Sequence, residues 1–111
     1  MPVANCFIKE RNVSQEEMQK LTTKWSDDIG VNLQDVCLTF VPNCMQAGQR
    51  YEIMVNLYLP SLWTKEDIKR IPKSLHQNLC DHFEVSASEV FIITSIVQSG
   101  HVVENGQIVE W

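Results

Sequence analysis

The sequence repeats itself. VNLQDVCL (Val31–Leu38) and VSASEVFI (Val85–Ile92) follow one pattern: Val, a small polar residue, two variable positions, an acid, Val and two apolar residues. At the same offset Leu21, Trp25 and Ile29 fall on Leu75, Leu79 and Phe83, the apolar stripes of two helices. Few folds accommodate such a doubling. Each copy reads as β-α-β, and a right-handed crossover makes its two strands parallel. Tandem copies place two helices on one face of a four-stranded sheet and leave the other face bare. The strands are too apolar for that face to lie in water, so oligomerisation is the expected way to cover it.

The individual elements carry their own signals. Residues 2–9 form an apolar-rich strand. SQEE (Ser14–Glu17) reads as a capping box, with the Ser14 hydroxyl taking the N3 amide and Glu17 reaching back. Met18, Leu21, Trp25 and Ile29 follow at helical spacing, and Gly30 supplies the stop. DVCLTFV (Asp35–Val41) and YEIMVNLYL (Tyr51–Leu59) are strands, the second wetter on one face and ended by Pro60. Thr64 and Asp67 cap a second helix through Ile68, Ile71, Leu75, Leu79 and Phe83. Pro72 is awkward inside it and predicts a kink, or a short turn with the main helix starting near Pro72. EVFIITSIV (Glu89–Val97) has the pattern of a strand covered on both faces. Asn105-Gly106 between apolar runs predicts a terminal type I′ hairpin.

Length and charge exclude several classes of function. The 111 residues suffice for one domain, 1–111, with a real core. No apolar run approaches a membrane span, and the N-terminus lacks the pattern of a signal peptide. The net charge of −5 without a Lys/Arg cluster gives nucleic-acid binding little electrostatic support. Cys6, Cys37, Cys44 and Cys80 form no CxxC pair, which fits a reduced, cytoplasmic chain without a disulfide framework. His76 and Cys80 are one helical turn apart, but no third or fourth ligand accompanies them, so neither a metal nor a cofactor is expected.

The chain opens MPVANCFI, with proline directly behind the initiator methionine. Proline is tolerated as the first residue of a strand, because its missing N–H falls outside the ladder. Methionine is also commonly clipped before proline. Pro2 would then carry a free secondary amine, a base fixed to the end of a strand. A retained Met1 would instead leave the Pro2 nitrogen an amide with no useful basicity.

Tandem β-α-β, this length and the Met-Pro start together resemble the tautomerase superfamily over nearly the whole chain. GVNLQDVCLTFVPN and VSASEVFIITSIV are similar to its migration inhibitory factor branch. The closing YEIMVNLYL and VVENGQIVEW are more similar to a little-characterised bacterial branch with a comparable hairpin. The resemblance implies an α+β tautomerase (MIF-like) fold assembled as a homotrimer, sheets inside and helices outside. It also implies that the N-terminal proline amine acts as general base between subunits, on a small 2-oxo or enol acid. An α-amine titrates near about 7.7–8.0, and burial disfavours its charged form, so the base is poised near neutral pH.

The usual electrophiles are missing. The family's lysine after the first helix falls on Val31, its tyrosine and asparagine on the last strand fall on Phe91 and Ile93, and a strand arginine falls on Cys37. Arg11 is an offset neighbour of another family arginine. Arg11, Lys9 and Arg50 are candidates to bind a carboxylate. Tyr58 and Tyr51 are candidate donors to an enolate, and His101, just past the last long strand, is a candidate acid partner or a mere edge residue. Two other readings stand beside the enzyme: a catalytically silent trimer kept for ligand binding or protein interaction, and a monomeric ferredoxin-like βαββαβ module whose strands pair differently.

Overall fold

Alternation along the strands decides what the sheet buries. In the computed structural model, which describes residues 1–111, β1 (Val3–Ile8) turns Ala4, Cys6 and Ile8 to the buried side and Val3, Asn5 and Phe7 to the other. β2 is Cys37–Val41, β3 is Ile53–Pro60 and β4 is Val90–Val97. Ile53, Val55, Leu57 and Leu59 of β3 continue the buried side. The sheet runs in the order β2-β1-β3-β4, with β1–β2 and β3–β4 parallel and β1–β3 antiparallel. Each parallel pair is adjacent. The ferredoxin-like arrangement splits its β-α-β units with an intervening strand, so that reading is excluded. The fold is the doubled β-α-β expected from the repeat.

Helices α1 (Gln15–Ile29) and α2 (Lys65–Phe83) lie on the buried side. Ser14 Oγ accepts the Glu17 N–H at 3.1 Å, the first half of the expected capping box. The second half does not form. The Glu17 carboxylate instead meets His82 Nε2 at 2.7 Å, tying the start of α1 to the end of α2. Gly30 ends α1 in the left-handed conformation at φ 73°. The equivalent residue after α2 is Glu84, also left-handed at φ 55°. The repeat thus keeps the conformation of its helix stop where it has lost the glycine. A short 3-10 turn follows each helix at matching positions, Leu33–Asp35 and Ala87–Glu89.

Two expectations are corrected here. α2 runs unbroken from its Thr64 cap, where the Asp67 N–H is bound at 3.2 Å, so the main helix does not start near Pro72. Pro72 sits inside the helix and leaves the Ile68 carbonyl without its i+4 donor. Burial of Ile71, Leu75, Leu79 and Phe83 outweighs that loss. Second, β4 is an edge strand in the single chain. Ile93 is 48% and Ile96 39% exposed, so the strand is not covered on both faces within one protomer.

The core joins the two halves of the repeat. Leu21, Trp25 and Ile29 of α1 pack with Leu75, Leu79 and Phe83 of α2 over the inner strand residues. The Trp25 indole N–H donates to the Ile71 carbonyl at 3.4 Å. Past β4, the chain forms a separate hairpin of β5 (Val102–Glu104) and β6 (Gln107–Val109). Its turn residues Asn105 and Gly106 have φ of 53° and 73°, as a type I′ turn demands. No helix is long and apolar enough to cross a membrane.

Candidate functional site

The N-terminal end of β1 meets the C-terminal ends of β3 and β4. Pro2 fits there for a backbone reason. Its carbonyl accepts the Cys37 N–H at 3.0 Å and so begins the β1–β2 ladder, whereas its nitrogen has no proton to offer and none is required. The Pro2 ring is buried. Val3, the next residue, pairs with Cys37 on one side and Tyr58 on the other. Tyr58 therefore stands beside the chain start, on the face the helices leave open.

The hairpin closes this corner. The Ser61 N–H binds the Val97 carbonyl at 2.9 Å, holding the turn after β3 to the end of β4. The Gly100 N–H binds the Val109 carbonyl at 3.0 Å, and Gly100, at φ 87°, is the residue that lets the chain reverse. Trp111 is pinned by two serines: its backbone N–H donates to Ser99 Oγ at 2.8 Å and its indole N–H to Ser61 Oγ at 2.9 Å. Between hairpin and sheet lies a cavity of about 440 Å³, walled chiefly by Met1, Val3, Tyr58, Val102, Val109 and Trp111. Its polar groups are Tyr58, His101 and Glu104.

The α-amine of Met1 feels two opposed effects. Burial pushes its pKa below the ordinary value, and this is the larger effect; the carboxylates of Asp35 and Glu104 pull it back up. The net direction is downward, toward a neutral, basic nitrogen. Met1 lines the cavity itself, whereas Pro2, bonded to it, is buried and is not among the residues of the wall.

Of the residues singled out from sequence, Tyr58 and His101 line this cavity with the chain start. Arg11 and Arg50 do not. Arg11 donates to the Phe83 carbonyl at 3.1 Å and lies 5.1 Å from the centre of the Phe83 ring, closing the end of α2. Arg50 borders a polar cleft with Lys9, Glu10 and Gln46 at the other end of the sheet. There Lys9 faces Glu52 at 3.9 Å. Tyr51 stacks on Phe91 with ring centres 4.8 Å apart, also away from the cavity. Sequence reasoning missed Glu104, Leu62 and Trp111. The Asn105-Gly106 signal located a hairpin, but nothing local says that it folds back over the start of β1.

No protein-family model matches the chain, and no curated protein matches it in sequence. Solved structures do. A wild-type fused 4-OT, an asymmetric trimer, superimposes with TM-score 0.77 at 14% identity over 96% of this chain and 94% of its own. A macrophage migration inhibitory factor homologue from Prochlorococcus marinus gives 0.73 at 13% identity, over 96% and 98%. A member of the cis-3-chloroacrylic acid dehalogenase family gives 0.73 at 15% identity, over 96% and 82%. What these likenesses establish is the fold.

Proposed function

We propose that this chain, which has the tautomerase-superfamily fold, is a keto–enol tautomerase whose general base is the amine of Pro2 after removal of Met1. One observation carries the reading: Met1, directly before Pro2, lies in the wall of a largely apolar cavity, and burial there lowers the pKa of its amine. The neutral nitrogen takes a proton from the carbon next to a carbonyl. The C–H electron pair moves into the new C=C bond and the carbonyl oxygen becomes an enolate, toward which the Tyr58 hydroxyl is the available donor. The prolinium then returns its proton to that oxygen, giving the enol and regenerating the amine. A positioned base near its working pH contributes about a hundred- to ten-thousand-fold. The cavity is completed by neighbouring copies in a homotrimer whose sheets face inward.

The test is exchange of α-protons for deuterium, followed by NMR, with protein whose intact mass shows that Met1 is gone. The rate falls about tenfold or more in Pro2→Ala, which keeps only a mobile primary amine, and drops to background behind an uncleaved N-terminal tag. Unchanged exchange in both sinks the proposal. A second reading has its own support: Val31, Cys37, Phe91 and Ile93 are apolar or weakly polar where the family resemblance expects charged and polar groups. A silent member that only binds a ligand would bind unchanged in Pro2→Ala and exchange nothing.

A further inference from the structure

We propose that the cavity under the hairpin takes an uncharged enolisable carbonyl compound bearing an apolar or aromatic substituent, and selects against 2-oxo acids. The inference rests on the Pro2 reading for its chemistry, but on different residues. A carboxylate ligand needs a cation, and arginine or lysine is absent from the cavity lining. The one acidic side chain in that lining, Glu104, has the wrong sign, and Asp35 adds a further negative charge near the Met1 amine. Apart from the Tyr58 hydroxyl and the His101 imidazole the rest of the wall is apolar, chiefly Val3, Leu62, Val97, Val102, Val109 and Trp111.

A neighbouring copy has little to lend. Six of the nine Lys and Arg residues lie on α1 and α2, the layer facing away from the sheet face that another copy would cover. Of the other three, Arg11 is held by Phe83 and Lys9 faces Glu52. Of these three, only Arg50 has neither an ion pair nor a hydrogen bond through its side chain, against a net charge of −5.

The test compares 2-oxo-4-phenylbutanoate with its methyl ester, which share the reacting carbons and differ in charge and one methyl group. Calorimetry reads binding, and NMR reads deuterium exchange at C3 above each compound's enzyme-free rate. The ester binds and exchanges about tenfold better than the acid, and Glu104→Gln narrows that gap about threefold by improving the acid. Equal or better binding of the acid overturns the proposal, as does failure to bind either. A gap unmoved by Glu104→Gln overturns the part given to Glu104. Tighter binding of the ester with no exchange beyond that of Pro2→Ala upholds the ligand class and defeats the Pro2 base, so the two failures are told apart.

Discussion

A proline at the head of β1 costs the sheet nothing, because the ladder uses its carbonyl and not its nitrogen. Removal of Met1 would therefore free the nitrogen without breaking a ladder hydrogen bond. Other single residues hold the frame around it. The Glu17 carboxyl is kept below its usual range chiefly by the hydrogen bond from His82. Its folded pKa lies below the unfolded value, so its stabilisation is complete above about pH 4.3 and is lost as pH falls through the folded pKa. Urea midpoints measured from pH 6 down to 3 should therefore drop less steeply in Glu17→Gln than in the wild type. An identical slope would mean that the bridge contributes nothing in solution, as many exposed pairs do. Cys6 belongs to the frame as well: burial pushes its thiol up to about 12, so it packs as an inert apolar group.

At the scale of elements, the hairpin and the helix pair are stabilised independently. β5 and β6 pair only with each other, and Gly106 needs φ of 73°. Gly106→Val forces a branched side chain into the left-handed region, which costs about 1–2 kcal/mol. Amide exchange should speed up in Val102–Val109 while β1 and β3 stay protected, and ligand binding should weaken with it. Trp25→Ala acts on the other unit. It removes a fully buried ring between α1 and α2 and should lower unfolding free energy by about 3–5 kcal/mol in a denaturant titration. Both units were legible because their signals are local: Ser14, Gly30, Thr64 and the Asn105-Gly106 turn are set by neighbours in sequence. The reciprocal Glu17 cap failed because a residue 65 positions away competed for the carboxylate. The cavity was illegible for the same reason. Its wall joins Met1 to Trp111, and no periodicity reports a contact between the two ends of a chain.

For the whole molecule, the open sheet face is the largest unmet demand. Register places Val41, Phe7, Met54 and Phe91 in one apolar row across all four strands, beside a row of Thr39, Asn5, Asn56 and Ile93. A homotrimer would cover these rows, and sedimentation equilibrium should return three copies for the wild type. Met54→Lys, a charge set in the apolar row, should shift that equilibrium toward monomer without unfolding the helix-side core; an unchanged mass would mean that this face is not the interface. The account as a whole turns on the state of one nitrogen. The chain has four prolines, and only an N-terminal one can titrate as a secondary amine. In protein labelled with nitrogen-15 at proline and expressed without a tag, one of the four signals should titrate, with a pKa below that of an N-terminal proline in an unstructured peptide. If all four stay amide-like at every pH, Pro2 carries no free amine, and the proline-based mechanism is wrong for this protein.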